Sequence, residues 1–139
     1  MLPEFKFSEA RKNLTAIIDQ VQTNQPIVIR RRKNSEKDAL LIPTDMLNEL
    51  ISAEFKPMLF KEDNGSITLA IEPLGLAVNA ANKEKAVDTL VDEVIEYAGE
   101  YMDDRILYYH SNRKAHLPYV LKVLLCDNKE QVKGLLGFA

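Results

Sequence analysis

Lys6, Ser8, Arg11, Lys12, Arg30, Arg31 and Arg32 are the side chains of this chain whose types and spacing best suit the gripping of phosphate. A guanidinium offers a planar fork of donors that fits a phosphate or a base edge, and an ammonium acts as a compact point charge. Ser8 reads as the N-cap of a helix, where unpaired amides and the helix dipole favour a phosphate oxygen. Arg11, one turn further on, could reach either a base edge or a phosphate. If Arg30 to Arg32 close a strand, alternation puts Arg30 and Arg32 on one face and Arg31 on the other. Were the partner a nucleic acid, phosphate contacts would come from whichever face meets it. The same residues admit plainer uses: an arginine triplet can be a solvated strand edge that discourages aggregation, and Arg11 can pair with a carboxylate.

Other chemistry is thinly represented. His110, His116 and Cys126 match no compact zinc spacing and bring no evident fourth ligand. A Cys–His nucleophile would also need an oxyanion hole and an orienting group, and neither can be pointed to. The five glycines are scattered, with no phosphate-cradling loop and no dinucleotide turn. No acid–base pair stands out among the many carboxylates. We expect neither an enzyme nor a metal or cofactor site.

Net charge is −3, which alone argues against a generic nucleic-acid binder. The distribution argues otherwise. Residues 1–53 hold eight Lys or Arg against seven Asp or Glu, whereas residues 54–139 hold ten against fourteen. With 139 residues, 46% hydrophobic and 28% charged, the chain is that of a globular protein of one domain or two small ones. A single cysteine excludes an internal disulfide and fits a reducing compartment. No apolar run nears the roughly 20 residues that span a bilayer, and the N-terminus has no signal-like pattern. A cytoplasmic, unprocessed protein is expected.

The elements that must carry the basic residues follow from periodicity. Phe5 and Phe7 flank Lys6 with the period of two of a short strand. Ala10, Leu14, Ile17, Ile18 and Val21 predict one amphipathic helix from Ser8 to about Thr23-Asn24, with Arg11 and Lys12 on its other face. Pro26 opens a β-branched strand, Ile27-Val28-Ile29. Asn34 to Asp38 is a polar turn, and Ala39 to Ile42 a second strand, paired antiparallel with the first. Thr44 reads as the cap of a helix carrying Met46, Leu47, Leu50 and Ile51 inward. The order is β-α-β-β-α. About fifty residues bury too little surface for comfortable stability alone, so a homodimer or higher homo-oligomer is expected.

Phe7-Ser8-Glu9-Ala10-Arg11, then Leu14, Ile17-Ile18 and Val21, then Pro26-Ile27-Val28-Ile29-Arg30-Arg31 and Ala39-Leu40-Leu41-Ile42-Pro43 resemble the prevent-host-death/YefM antitoxins over residues 4–53. The resemblance implies a dimeric head that binds operator DNA and represses its own operon, and a cognate toxin bound elsewhere on the chain. The family's usual link between the two strands is short, basic and contains glycine. Here it is the longer, glycine-free Arg32-Lys33-Asn34-Ser35-Glu36-Lys37-Asp38.

Residues 54–139 read as an acidic partner-binding domain. Met58 to Phe60, Ile67 to Ile71 and Leu76 to Val78 predict an antiparallel meander turned at Asn64-Gly65 and at Pro73 to Gly75. Asn82 then caps a long helix with Ala86, Val87, Leu90, Val91, Val94, Ile95 and Ala98 inward. Short helices follow, one with Pro118 in its first turn and one capped by Asp127 or Asn128. The element order, with Asn64-Gly65-Ser66 and the Asn82-Lys83-Glu84-Lys85-Ala86 start, is similar to the HicB-type antitoxin core. The whole is α+β: a small β-α-β-β-α head, then a three-stranded meander with a long helix and short C-terminal helices. Asp92, Glu93, Glu96, Glu100 and Tyr101 are the candidate partner-binding residues, suited to a basic partner such as an RNA-cleaving toxin. Such an acidic face can equally be a solvated surface. The alternative for the whole chain is a non-enzymatic protein- or ligand-binding module that keeps the antitoxin fold without DNA binding. Prevent-host-death antitoxins typically end in a partly disordered tail, whereas this C-terminal half is apolar enough to fold by itself.

Overall fold

The computed structural model describes residues 1–138, and it resolves into two compact units, Met1–Leu50 and Ile51–Ala139. Both mix helices with a small sheet, so the chain is α+β as expected. Among the described residues no helix is long and apolar enough to cross a membrane.

The first unit runs β1 (Glu4–Lys6), α1 (Phe7–Lys12), α2 (Leu14–Gln22), β2 (Ile27–Arg30), β3 (Ala39–Leu41) and α3 (Thr44–Leu50). β2 is the central strand. It pairs parallel with β1, setting Lys6 opposite Arg30, and antiparallel with β3, setting Ile27 opposite Leu41. Parallel neighbours need a crossover connection, and α1 with α2 supplies it. Ala10, Ile17, Val21 and Ile27 form the buried cluster, with Phe5, Ile29 and Leu41 packed on it. The odd positions of β1 and β2 therefore face the core, and Glu4, Lys6 and Arg30 share the other face.

Five expectations for this unit need correction. The single helix is two, because Asn13 leaves helical geometry (φ −117°, ψ 26°) and its side-chain amide donates to the Glu9 carbonyl at 3.0 Å. A short polar side chain that competes for backbone partners favours such a break. Ser8 is not an N-cap. β1 ends at Lys6 and α1 starts at Phe7, so the cap position falls on Lys6, which has no side-chain capping bond. The inward stripe narrows to Ala10, Ile17 and Val21, leaving Leu14 54% and Ile18 38% exposed. The cap of α3 is likewise displaced: the Pro43 carbonyl accepts from the Leu47 amide, and Thr44 already lies inside the helix. That helix buries none of its residues, and Leu50 is 69% exposed.

The second unit follows its expected pattern closely. β4 (Met58–Lys61), β5 (Ile67–Ile71) and β6 (Leu76–Ala80) form the antiparallel meander in that order. The first turn uses Gly65 at φ +84°, where a side chain is strained, and the Asn64 Oδ1 accepts from the Ser66 amide. Ile67, Leu69 and Ile71 are buried on one face. The helix α4 (Lys83–Asp103) is capped as predicted, Asn82 Oδ1 accepting from the Lys85 amide at 2.9 Å. Its stripe from Ala86 to Ala98 lies against β5 and β6. α5 (Arg105–Tyr109), α6 (Leu117–Leu124) and α7 (Lys129–Leu135) complete the unit. Pro118 sits in the first turn of α6, and Asn128 rather than Asp127 caps α7.

Aromatic packing closes this unit. Tyr101 is fully buried, stacks on Tyr108 with ring centres 5.0 Å apart, and donates to the Arg113 carbonyl at 3.0 Å. The Tyr97 hydroxyl and His116 Nδ1 are hydrogen-bonded at 2.5 Å. Burial, and then the nearby Arg113 charge, hold the His116 pKa below its ordinary value.

Two measurements check this packing. Tyr101→Ala removes a fully buried aromatic ring and is expected to cost about 3–5 kcal/mol in urea unfolding; a change within about 0.5 kcal/mol would mark a surface residue. His116 is expected to titrate below the free value of about 6.5 by NMR. Because the unfolded chain then binds the proton more readily, His116 supports stability above about pH 6.5 and loses that support as pH falls. A His116→Gln chain should lack this component of the acid destabilisation.

Candidate nucleic-acid interface

Lys6, Ser8, Arg30, Arg31 and Arg32 line one open groove of about 840 Å³ on the first unit, together with Glu4, Phe7, Glu9 and Asp38. Arg11 and Lys12 line a smaller neighbouring one that shares Phe7 and Ser8. All seven basic or capping candidates therefore fall on adjoining surfaces. The sheet brings Lys6 beside Arg30, and the entry into α1 brings Phe7 and Ser8 to the same rim.

The arginines do not divide as strand alternation predicts. β2 ends at Arg30, so Arg31 and Arg32 lie in the connection and all three line the groove. Arg30 is bound by two carboxylates: Glu4 Oε2 accepts from its Nε at 2.7 Å and also from Nη2, and Asp38 Oδ2 accepts from Nη1 at 2.7 Å. Glu4 first, then Asp38, holds the guanidinium more firmly protonated than usual. Arg32 stacks its guanidinium 4.8 Å from the centre of the Phe7 ring and pairs with Glu36 at 3.2 Å. Arg31 donates weakly to the Asn34 carbonyl at 3.4 Å and has no carboxylate partner among the described residues.

Asp38 organises the connection. Its Oδ1 accepts from the Arg31 amide at 2.8 Å while Oδ2 holds Arg30, and the Glu36 amide donates to the Lys33 carbonyl. The long, glycine-free link thus closes by side-chain bonds. The Arg31 amide, followed by the Arg30 side chain, holds the Asp38 carboxyl below its ordinary range. Glu4, Phe7, Glu9, Glu36 and Asp38 were not read as site residues from sequence. The one available signal was that Glu4 and Lys6 share a strand face; the parallel pairing that sets them against Arg30 has no local signature.

On the second unit, Glu93, Glu96 and Glu100 are exposed at a spacing that keeps them on one side of α4. Asp92 is paired with Lys129 at 2.6 Å. Tyr101 is corrected: as a core residue it offers nothing to a partner. His116 is engaged by Tyr97, and Cys126 Sγ lies 3.4 Å from the Lys122 carbonyl. Among the described residues no group of three or more His, Cys, Asp or Glu is placed to hold a metal ion.

A small α+β head with a basic groove, followed by a folded acidic unit, defines the type, and relatives define the family. The PHD-like family described as antitoxin of toxin–antitoxin, RelE/RelB, TA system matches residues 1–137, and the chain belongs to it. A crystal structure from Syntrophomonas wolfei subsp. wolfei, described as the antitoxin part of a candidate toxin/antitoxin system, is similar at 32% identity, 96% coverage of both chains and a TM-score of 0.82. Comparison with curated proteins gave no match.

The Asp38 bonds predict a pH effect of definite sign. With its folded pKa depressed, Asp38 supports the head above the ordinary carboxylate range and loses that support as pH falls through the lower folded value. The protection of the Arg31 amide against hydrogen exchange, relative to the intrinsic rate at each pH, should therefore fall on acidification, and at neutral pH in Asp38→Asn. Unchanged exchange in that variant would show that the carboxylate does not hold the turn.

Proposed function

We propose that the chain is the antitoxin of a cytoplasmic toxin–antitoxin pair. Its head, residues 1–53, binds operator DNA as a dimer or higher homo-oligomer to repress its own transcription, in the manner of prevent-host-death/YefM antitoxins. Residues 54–139 neutralise the cognate toxin. The observation that carries the DNA reading is the gathering of Lys6, Ser8, Arg30, Arg31 and Arg32 on one groove, beside Arg11 and Lys12, in an antitoxin-family chain. Arg31, Lys6, Arg11 and Lys12 are the leading phosphate or base contacts, since among the described residues no carboxylate holds them in an ion pair. Exposed Leu14, Ile18, Leu40 and Leu50 give the head apolar surface for a second copy. Glu93, Glu96 and Glu100 give the second unit a negative face that attracts a basic toxin.

One observation favours a second reading. Arg30 and Arg32 already hold carboxylates, as expected of a head that serves as a protein- or ligand-binding module without DNA binding.

Gel retardation of the chain's own promoter fragment separates the two. Binding at low salt should weaken as salt rises, because phosphate contacts release counterions. Arg11→Ala with Arg31→Ala should weaken it by about tenfold or more, each contact being worth roughly 1–3 kcal/mol. A double variant that binds like the unaltered chain would remove the repressor reading. For the toxin, co-expression with the adjacent reading frame should recover a small basic protein.

A further inference from the structure

Glu4 and Asp38 hold one guanidinium between them at a site open to solvent. Their duties differ. Asp38 also accepts from the Arg31 amide, so the connection between β2 and β3 is closed by Asp38 without help from Glu4. Glu4 sits on β1 two residues before Lys6, and Lys6 lies opposite Arg30 across the parallel pair. Its Oε2 rests in the notch between Nε and Nη2, the edge of an arginine that fits a phosphate oxygen. Both residues line the basic groove.

We propose that Glu4 is an internal stand-in for a DNA phosphate: its carboxylate occupies the outer edge of Arg30, keeps that guanidinium out of the DNA footprint and lowers the head's affinity for its operator. This rests on the DNA-binding reading above and deepens it. The physics limits the effect. Glu4 is tethered beside Arg30, so it competes at the high effective concentration of an intramolecular partner. The pair is about half exposed on both sides, so solvent and salt weaken it. Removing the Glu4 charge frees an edge of Arg30 while Asp38 continues to orient the rest of the group. The Arg30 fork then gains one phosphate.

The test compares unaltered chain, Glu4→Gln and Glu9→Gln on the same promoter duplex across a salt series. Glu9 lines the groove without bonding Arg30, so it reports the general effect of one lost negative charge. Glu4→Gln is expected to bind several-fold tighter at low salt, with a log–log salt slope steeper by about 0.9, which adds a roughly threefold loss between 50 and 200 mM. Glu9→Gln should show a smaller gain and an unchanged slope. NMR of the Arg30 Nε–H in the unaltered chain provides a readout that needs no variant: the signal should stay in place when duplex is added, and should move in Glu4→Gln. If the unaltered chain binds DNA but Glu4→Gln, folded by circular dichroism, binds with the same slope, the inference fails and the DNA reading stands. The inference also fails if the Arg30 signal moves in the unaltered complex. If neither protein binds the duplex, the DNA reading fails and takes the inference with it.

Discussion

The head has little to hold itself together, and that constraint shapes the rest of the account. Four side chains, Ala10, Ile17, Val21 and Ile27, form its buried cluster, while Leu14, Ile18, Leu40 and Leu50 remain in solvent. Among the described residues the second unit buries eighteen in one cluster. A unit of about fifty residues with so small an interior is marginal as a free monomer. In the proposed assembly a second copy covers the exposed apolar side chains of the head.

The basic groove is less positive than its arginine count implies. Glu4, Asp38 and Glu36 answer Arg30 and Arg32, and the stacked Phe7 ring further fixes Arg32. The groove therefore combines guanidinium groups held in set positions with cations that pair with no carboxylate among the described residues. A held guanidinium has its rotamer fixed in advance, and a ligand must compete with its carboxylate to reach it. The acidic second unit follows a different logic. Its charges lie outside a well-packed interior, so they can be changed with little effect on the fold, whereas Tyr101 cannot.

Legibility in the sequence tracked how local each determinant is. The meander, the Asn64-Gly65 turn, the Asn82 cap and the α4 stripe rest on neighbours within a few residues, and they stand as read. The break at Asn13 and the early start of α1 were missed because the apolar spacing continues through both. Tyr101 reads as a partner-binding candidate because tyrosine suits both a core edge and an interface, and only the packing of α4 against the residues after it decides. The basic candidates were legible by type. The carboxylates that restrain them were not, since Glu4 meets Arg30 only through a parallel pairing twenty-six residues apart.

Dimerisation of the head and DNA binding are proposed to occur together, and the mass of the complex tests both. Light scattering on the full chain of 15.8 kDa with a promoter duplex of known length gives the number of chains per duplex directly. At least two chains are expected on each duplex, lost together as salt is raised. A complex holding one chain, or no complex at low salt, would contradict this expectation.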